Sequence, residues 1–169
     1  MKPLDVSDIH LLRAAEGWLE LGDEVEALSE LEGVSEREKN HPAVLEIRFQ
    51  IFAKRKEWDV CRKVAEAIIE QLPNHAGGWL NLAYATRRAT GGNEQAAFDI
   101  LQPVAKKFPD EPTIPYNLAC YTCQIGRLEE ARRWLARALK IGNVRQLKLM
   151  ALTDSDLKPL WKEIPLIEP

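Results

Sequence analysis

Residues 114–139, IPYNLACYTCQIGRLEEARRWLARAL, decide the fold. Apolar residues recur at helical spacing on both sides of Gly126, so the stretch reads as two short amphipathic helices joined by a tight turn. Ala119 in the first helix, and Ala131 and Ala138 in the second, put small side chains where two helices must touch. A hairpin of this build cannot bury its apolar face alone and needs a neighbour of the same kind.

Working outward, such neighbours recur at a fixed interval. The residue at the middle of each first helix is Ala15, Phe49, Ala83 and Ala119, at gaps of 34, 34 and 36. The residue at the start of each second helix is Ala27, Cys61, Ala97 and Ala131, at gaps of 34, 36 and 34. The paired slots lie 12 apart, except in the third unit, where they lie 14 apart. Both extra residues fall in the turn around Thr90-Gly91-Gly92-Asn93, where chain length costs little. A period of this size with two helices per unit is the signature of a stacked helical array.

The motifs within this period resemble the tetratricopeptide repeat. Trp79-Leu80-Asn81-Leu82-Ala83 matches the family opening W-x2-L-G/A. Ala97-x3-Leu101 and Pro109 match its second half, as do Tyr116-Asn117-Leu118-Ala119 and Gly126-Arg127-Leu128-Glu129-Glu130-Ala131. Pro73 follows Cys61 by the same 12 residues as Pro109 follows Ala97. The second unit departs furthest, with Phe49 and Cys61 in small-residue slots and Lys56 in place of the turn glycine. The resemblance implies an all-α fold, a right-handed α-α superhelix (solenoid) of four hairpins at about 7–40, 41–74, 75–111 and 112–142. Capping helices over 143–164 and a loose tail at 165–169 complete it. Thr153-Asp154-Ser155-Asp156-Leu157-Lys158-Pro159-Leu160 resembles a segment that closes bacterial arrays of this family.

Local signals refine the elements. Ser7 or Asp8 is expected to cap the first helix and Gly22 to end it. The second helix is expected from Glu24 to about Glu38, with Val25, Leu28 and Leu31 inward. Leu45, Phe49 and Phe52 make the stripe of the second unit, continued by Trp58, Ala65, Ile68 and Ile69. Pro103 removes a backbone donor and crowds the carbonyl of Asp99, so a kink or restart is expected there. Thr113 is expected to cap the fourth unit's first helix, with Pro115 in its first turn. A further helix follows from Val144 to about Leu152. Leu147, Met150, Leu157 and Trp161 are the candidates for covering the exposed end of the array.

Composition excludes several function classes. The chain has 169 residues and a net charge of −3, so nothing overall points to nucleic acid. Residues 1–40 carry eleven acids and four bases, −7; the remainder carries fifteen acids and nineteen bases, +4. No apolar run reaches the ~18 residues of a membrane span. The odd cysteine count and the lack of a signal-peptide pattern imply a reducing, cytoplasmic setting.

Within the resemblance, the first helices of successive units line one concave groove. Stepping one residue on from the buried stripe rotates direction by about 100° and marks the groove-facing positions. They are Glu16, Leu19 and Glu20; Glu46, Gln50 and Lys54; Leu80, Tyr84, Arg87 and Arg88; and Tyr116, Cys120, Cys123 and Gln124. Asn81 and Asn117 occupy matching slots where the family uses an asparagine to hold the backbone of an extended peptide. Arg87 and Arg88 beside Tyr84 and Tyr116 would suit an acidic or phosphorylated segment through charge-assisted hydrogen bonds. Glu16, Glu20 and Glu46 stand where the family's carboxylate clamp needs cations, so no such clamp is expected.

Catalytic signals are sparse. Cys120 and Cys123 share a helix face, yet no second pair completes a metal site, and His10, His41 and His75 fall in other units. Gly91-Gly92 lacks the Lys-Ser/Thr of a phosphate loop. The expectation is a non-catalytic adaptor without cofactor, binding a protein or peptide and no nucleic acid or membrane, as monomer or homodimer. The alternatives are a structural homo-oligomer assembling through the array edge and, more remotely, metal or thiol activity at Cys120 and Cys123.

Overall fold

A computed structural model describes residues 3–169. Their α-helices are α1 (Val6–Leu21), α2 (Glu24–Glu32), α3 (Pro42–Lys54), α4 (Trp58–Gln71), α5 (Ala76–Arg88), α6 (Glu94–Lys107), α7 (Thr113–Gln124), α8 (Leu128–Ile141) and α9 (Val144–Thr153). Short 3-10 turns span Glu36–Glu38, Ser155–Leu160 and Ile164–Leu166. Every regular element among the described residues is helical.

The turns that join the helices carry the repeat. Gly22, Gly91 and Gly126 have φ of 82°, 72° and 82°, the left-handed conformation that reverses a chain after a helix. Lys56, which stands where the second hairpin's glycine belongs, adopts φ 58°. The backbone therefore keeps the turn even where the side chain makes it costly. The link between α5 and α6 runs over residues 89–93, against 55–57 and 125–127 at the corresponding turns.

All eight periodic slots are buried. Ala15, Ala83, Ala119, Ala27, Cys61, Ala97 and Ala131 are fully enclosed, and Phe49 is 6% exposed. The two bulky slots of the second hairpin meet each other, the Cys61 thiol donating to the Phe49 carbonyl at 3.9 Å.

The chain forms two compact units, Met1–Ala85 and Thr86–Pro169. In the first, α1 packs on α2, α3 on α4, and α3 against both α1 and α2. Leu12, Leu19, Leu31, Val44, Ile47 and Ile51 join Ala15 and Ala27 in one core cluster. Leu45, Phe49, Val64, Ala65, Ile68 and Ala85 surround Cys61 in another. In the second unit, α7 is central: it packs against α6, α8 and the turn Ser155–Leu160. Leu157, Leu160 and Ile164 of the C-terminal segment are fully buried.

Several local expectations are corrected. The first helix starts at Val6 after Asp5, and Asp8 lies inside it. Asp8 is buried and accepts from the Ser35 amide at 3.1 Å and the Ser35 hydroxyl at 2.6 Å, tying α1 to the segment after α2. These hydrogen bonds from Ser35 hold its carboxyl below the usual range. The cap of α2 is Asp23, which accepts from Val25 and Glu26, and the helix ends at Glu32 with Gly33 as its C-cap. Val25 points outward at 70% exposure. Helix α6 runs unbroken through Pro103, so the expected restart does not occur. Pro103 and Asp99 are both exposed, so the carbonyl that loses its donor is open to water. Thr113 is the first residue of α7 rather than its cap; Pro112 precedes it, and the Glu111 carboxylate accepts from the Thr113 amide at 2.9 Å. At the C-terminal end Leu147 and Leu157 are buried, whereas Met150 is 43% exposed and does not cover the core.

Candidate functional site

In the first unit, α1 and α3 bring five groove positions together. Glu16, Leu19, Glu20, Gln50 and Lys54 line one open depression of about 530 Å³. The register explains the meeting: 16 and 20 are one helical turn apart on α1, and 50 and 54 are one turn apart on α3. The Lys54 ammonium donates to the Leu19 carbonyl, which pins it at the C-terminal end of α1. Like charges at this spacing destabilise a helix by about 0.2–0.5 kcal/mol. Glu16 and Glu20 accept that cost with neither carboxylate hydrogen-bonded or ion-paired among the described residues.

Further along the same unit, Asn81 donates to the Glu46 carboxylate at 3.2 Å. One N–H of its amide is thus committed to the scaffold. The Tyr84 ring is 41% exposed and meets Trp58 edge-on, with centroids 5.7 Å apart and planes at 72°.

The second unit differs from an open groove. Tyr116, Cys120 and Cys123 are buried, because the chain's own residues 154–160 lie against α7. The Tyr116 hydroxyl donates to Asp154 at 3.0 Å, and the Cys120 thiol to the same carboxylate oxygen at 3.6 Å. Gln124 donates through its amide to the backbone carbonyl of Asp156 at 2.7 Å. Arg87 pairs with both carboxylate oxygens of Asp156, one of them at 2.9 Å, and with Glu94 at 3.1 Å. Its guanidinium also lies 5.8 Å from the centre of the Tyr121 ring. The expectation of a solvent-facing basic and aromatic stripe at Arg87, Tyr116 and Cys120 is therefore corrected. These groups do grip an acidic segment, and that segment is internal. Asn117 on α7 is half-buried, and Gln124 remains exposed.

The electrostatics agree with the geometry. The hydrogen bonds from Arg87 hold the Asp156 carboxyl below its usual range, with Arg88 contributing. Burial pushes the Tyr116 hydroxyl and the Cys120 thiol well up, and the neighbouring Asp154 adds to both shifts. Burial also raises the Cys123 and Cys61 thiols, each to about 11. A thiolate nucleophile needs the opposite shift.

Cys120, Asp154 and Asp156 bring their ligand atoms within 4.8 Å of one another. Cys123 is not in that group. Asp156 is already neutralised by Arg87, and Asp154 accepts from Tyr116 and Cys120, so the cluster reads as a closed polar network rather than a cation cage. A separate depression of about 300 Å³ is lined by Glu130, Arg133, Trp134 and Arg137 on α8. There Arg137 lies over Trp134 at 5.6 Å and donates to the Ala105 carbonyl at 2.9 Å, which fastens α8 to α6. No helix among the described residues is long and apolar enough to cross a membrane.

Helical hairpins in register, with left-handed turns and small buried contact residues, define a tetratricopeptide-type fold. Solved structures share it. MamA from Desulfovibrio magneticus RS-1, from residue 41 to its end, superposes with a TM-score of 0.69 at 17% identity, over 98% of this chain and 95% of that one. A MamA RS-1 ArsTM double mutant gives 0.66 at 16% identity, over 87% and 78%. A thermophilic TPR protein in Thermus thermophilus gives 0.66 at 16% identity, over 94% and 99%. At these identities the likeness is one of fold. No family model matches the sequence, and neither does any curated protein.

Proposed function

We propose that the chain is a non-catalytic protein-interaction module that takes an extended peptide or a partner helix against the inner faces of its first helices. The observation that supports this most is the depression in the first unit, where Glu16 and Glu20 stand unpartnered among the described residues beside Leu19, Gln50 and Lys54. Two carboxylates held beside an anchored lysine and a free amide suit a segment with a cationic side chain and open backbone groups. Rigid helices present these groups in place, which lowers the ordering cost of association. Within the same unit Asn81 adds a second amide N–H for a peptide backbone, and Tyr84 a part-exposed ring.

The test is capture by the immobilised full-length chain. Glu16→Lys with Glu20→Lys abolishes binding of the partner that wild type retains, whereas Glu66→Lys on the outer surface of α4 leaves it intact. Equal capture by all three proteins defeats the reading.

One observation favours a second reading, self-assembly through the array edge. Helix α9 leaves Leu149, Met150 and Leu152 exposed at 60%, 43% and 37%. A light-scattering mass that stays monomeric across a hundredfold range of concentration removes it.

A further inference from the structure

In the second unit, side chains of α5 and α7 hold residues 154–156 of the chain itself. Residues 154–156 are tied to their own neighbours by the Trp161 indole, which donates to the Asp154 carbonyl at 3.1 Å, and by the Asp154 amide, which donates to the Met150 carbonyl at 3.0 Å. Two kinds of contact then fix them to α5 and α7. Arg87 and Tyr116 bind side-chain carboxylates, which selects acids at alternate positions. Gln124 binds the backbone carbonyl of Asp156, which follows the path of the chain whatever its side chains are. Arg87 is braced by Glu94 and by the Tyr121 ring, and Tyr116, Cys120 and Gln124 sit on α7, the central helix of the unit.

The bound segment has two unlike halves. Leu157, Leu160 and Ile164 are fully buried and anchor it. Asp154 and Asp156 are half-buried, Ser155 is exposed, and their contacts with α5 and α7 are polar. Water competes for such contacts, so the tip opens more readily than the anchor.

We propose that Arg87, Tyr116 and Gln124 form a receptor site for a short acidic segment of a protein partner, with carboxylates two residues apart, and that Asp154–Asp156 fills this site in cis until such a segment displaces it. The proposal rests on the reading of the chain as a protein-interaction module. Tethering sets a threshold: a linked occupant acts at an effective concentration on the order of millimolar. Weak acidic ligands are therefore excluded, and a partner must offer more charge or more length than the internal tip.

The probe is a fluorescein-labelled peptide with the sequence of residues 153–161, followed by anisotropy against the full-length chain. Asp154→Asn with Asp156→Asn loosens the internal tip and leaves its leucine anchors in place. The peptide binds this double variant at least tenfold more tightly than wild type, and adding Arg87→Gln returns it to the wild-type level. A peptide with both aspartates changed to asparagine does not bind. Equal affinity for wild type and the folded double variant overturns the proposal, as does gain of binding indifferent to Arg87. Should the double variant not fold, wild type decides: excess peptide accelerates amide exchange at Asp156 without changing Leu157, and unchanged exchange overturns the proposal. Capture that survives Glu16→Lys with Glu20→Lys, alongside Arg87-dependent peptide binding, would defeat only the broader reading; capture lost in that variant, with no Arg87-dependent peptide binding, would defeat only this one.

Discussion

Removing the Asp156 carboxylate isolates the contact that closes the second unit. Arg87 and Asp156 keep 14% and 24% of their side-chain exposure, which places the pair between surface and interior. Breaking a fully buried pair costs about 3–5 kcal/mol, whereas an exposed pair contributes about 0–1 kcal/mol. Arg87 retains Glu94 after the change, so Asp156→Ala loses less than the buried value, about 2 kcal/mol. In a cycle with Arg87→Gln the coupling energy is about 1.5 kcal/mol. The internal control is Arg37 with Asp5, whose side chains are 60% and 53% exposed. There the coupling stays below about 0.5 kcal/mol. Both cycles are read from urea unfolding followed by circular dichroism, with the slope checked for constancy so that midpoints report stability. A coupling at Arg87 and Asp156 no larger than the control would refute the reasoning, because the ion pair would then add nothing to the hold of the leucines, Tyr116 and Gln124 on the segment.

Three further outcomes follow from the same structure. Leu157→Ala empties a fully buried position and costs about 2–5 kcal/mol in urea unfolding, whereas Leu166→Ala, at 80% exposure, costs under about 0.5 kcal/mol. Lys56→Gly relieves a left-handed lysine and stabilises by up to about 1 kcal/mol, while Gly126→Ala, at φ 82°, costs about 1–2 kcal/mol; both appear as shifts in thermal midpoint. The third concerns acid. The Asp156 carboxyl titrates lower folded than unfolded, so its contribution is complete at neutral pH and lost as pH falls below about 4 and on through the lowered folded value. Asp156→Asn removes that acid-sensitive component, and the stability difference between the two proteins narrows below pH 4.

The hairpins were legible in the sequence because each rests on local chemistry. A small residue at a helix contact, or a left-handed turn, recurs at its interval whatever else the chain does. The register of Glu16, Glu20, Gln50 and Lys54 was legible for the same reason, since a helix face follows from rotation per residue. What the sequence did not display is which faces the chain covers itself. Residues 154–160 reach α7 across more than thirty positions, and no period announces such a contact. A signal existed in charge complementarity: the Asp154-Ser155-Asp156 acids match an arginine already singled out as able to grip an acidic segment. Asp8 escaped for a related reason. A carboxylate in the first turn of a helix reads as a cap, and only the fold brings Ser35 to it. Pro103 shows the opposite limit, where the helix continues without a restart through a proline at an exposed position.

The central claim is that recognition resides on the inner faces of the first helices. Photo-crosslinking from an unnatural benzophenone side chain tests it, placed in turn at Gln50 on α3 and at Glu66 on α4. A discrete protein adduct at Gln50, with none at Glu66, is the predicted result. Adducts at Glu66 with none at Gln50 would contradict it.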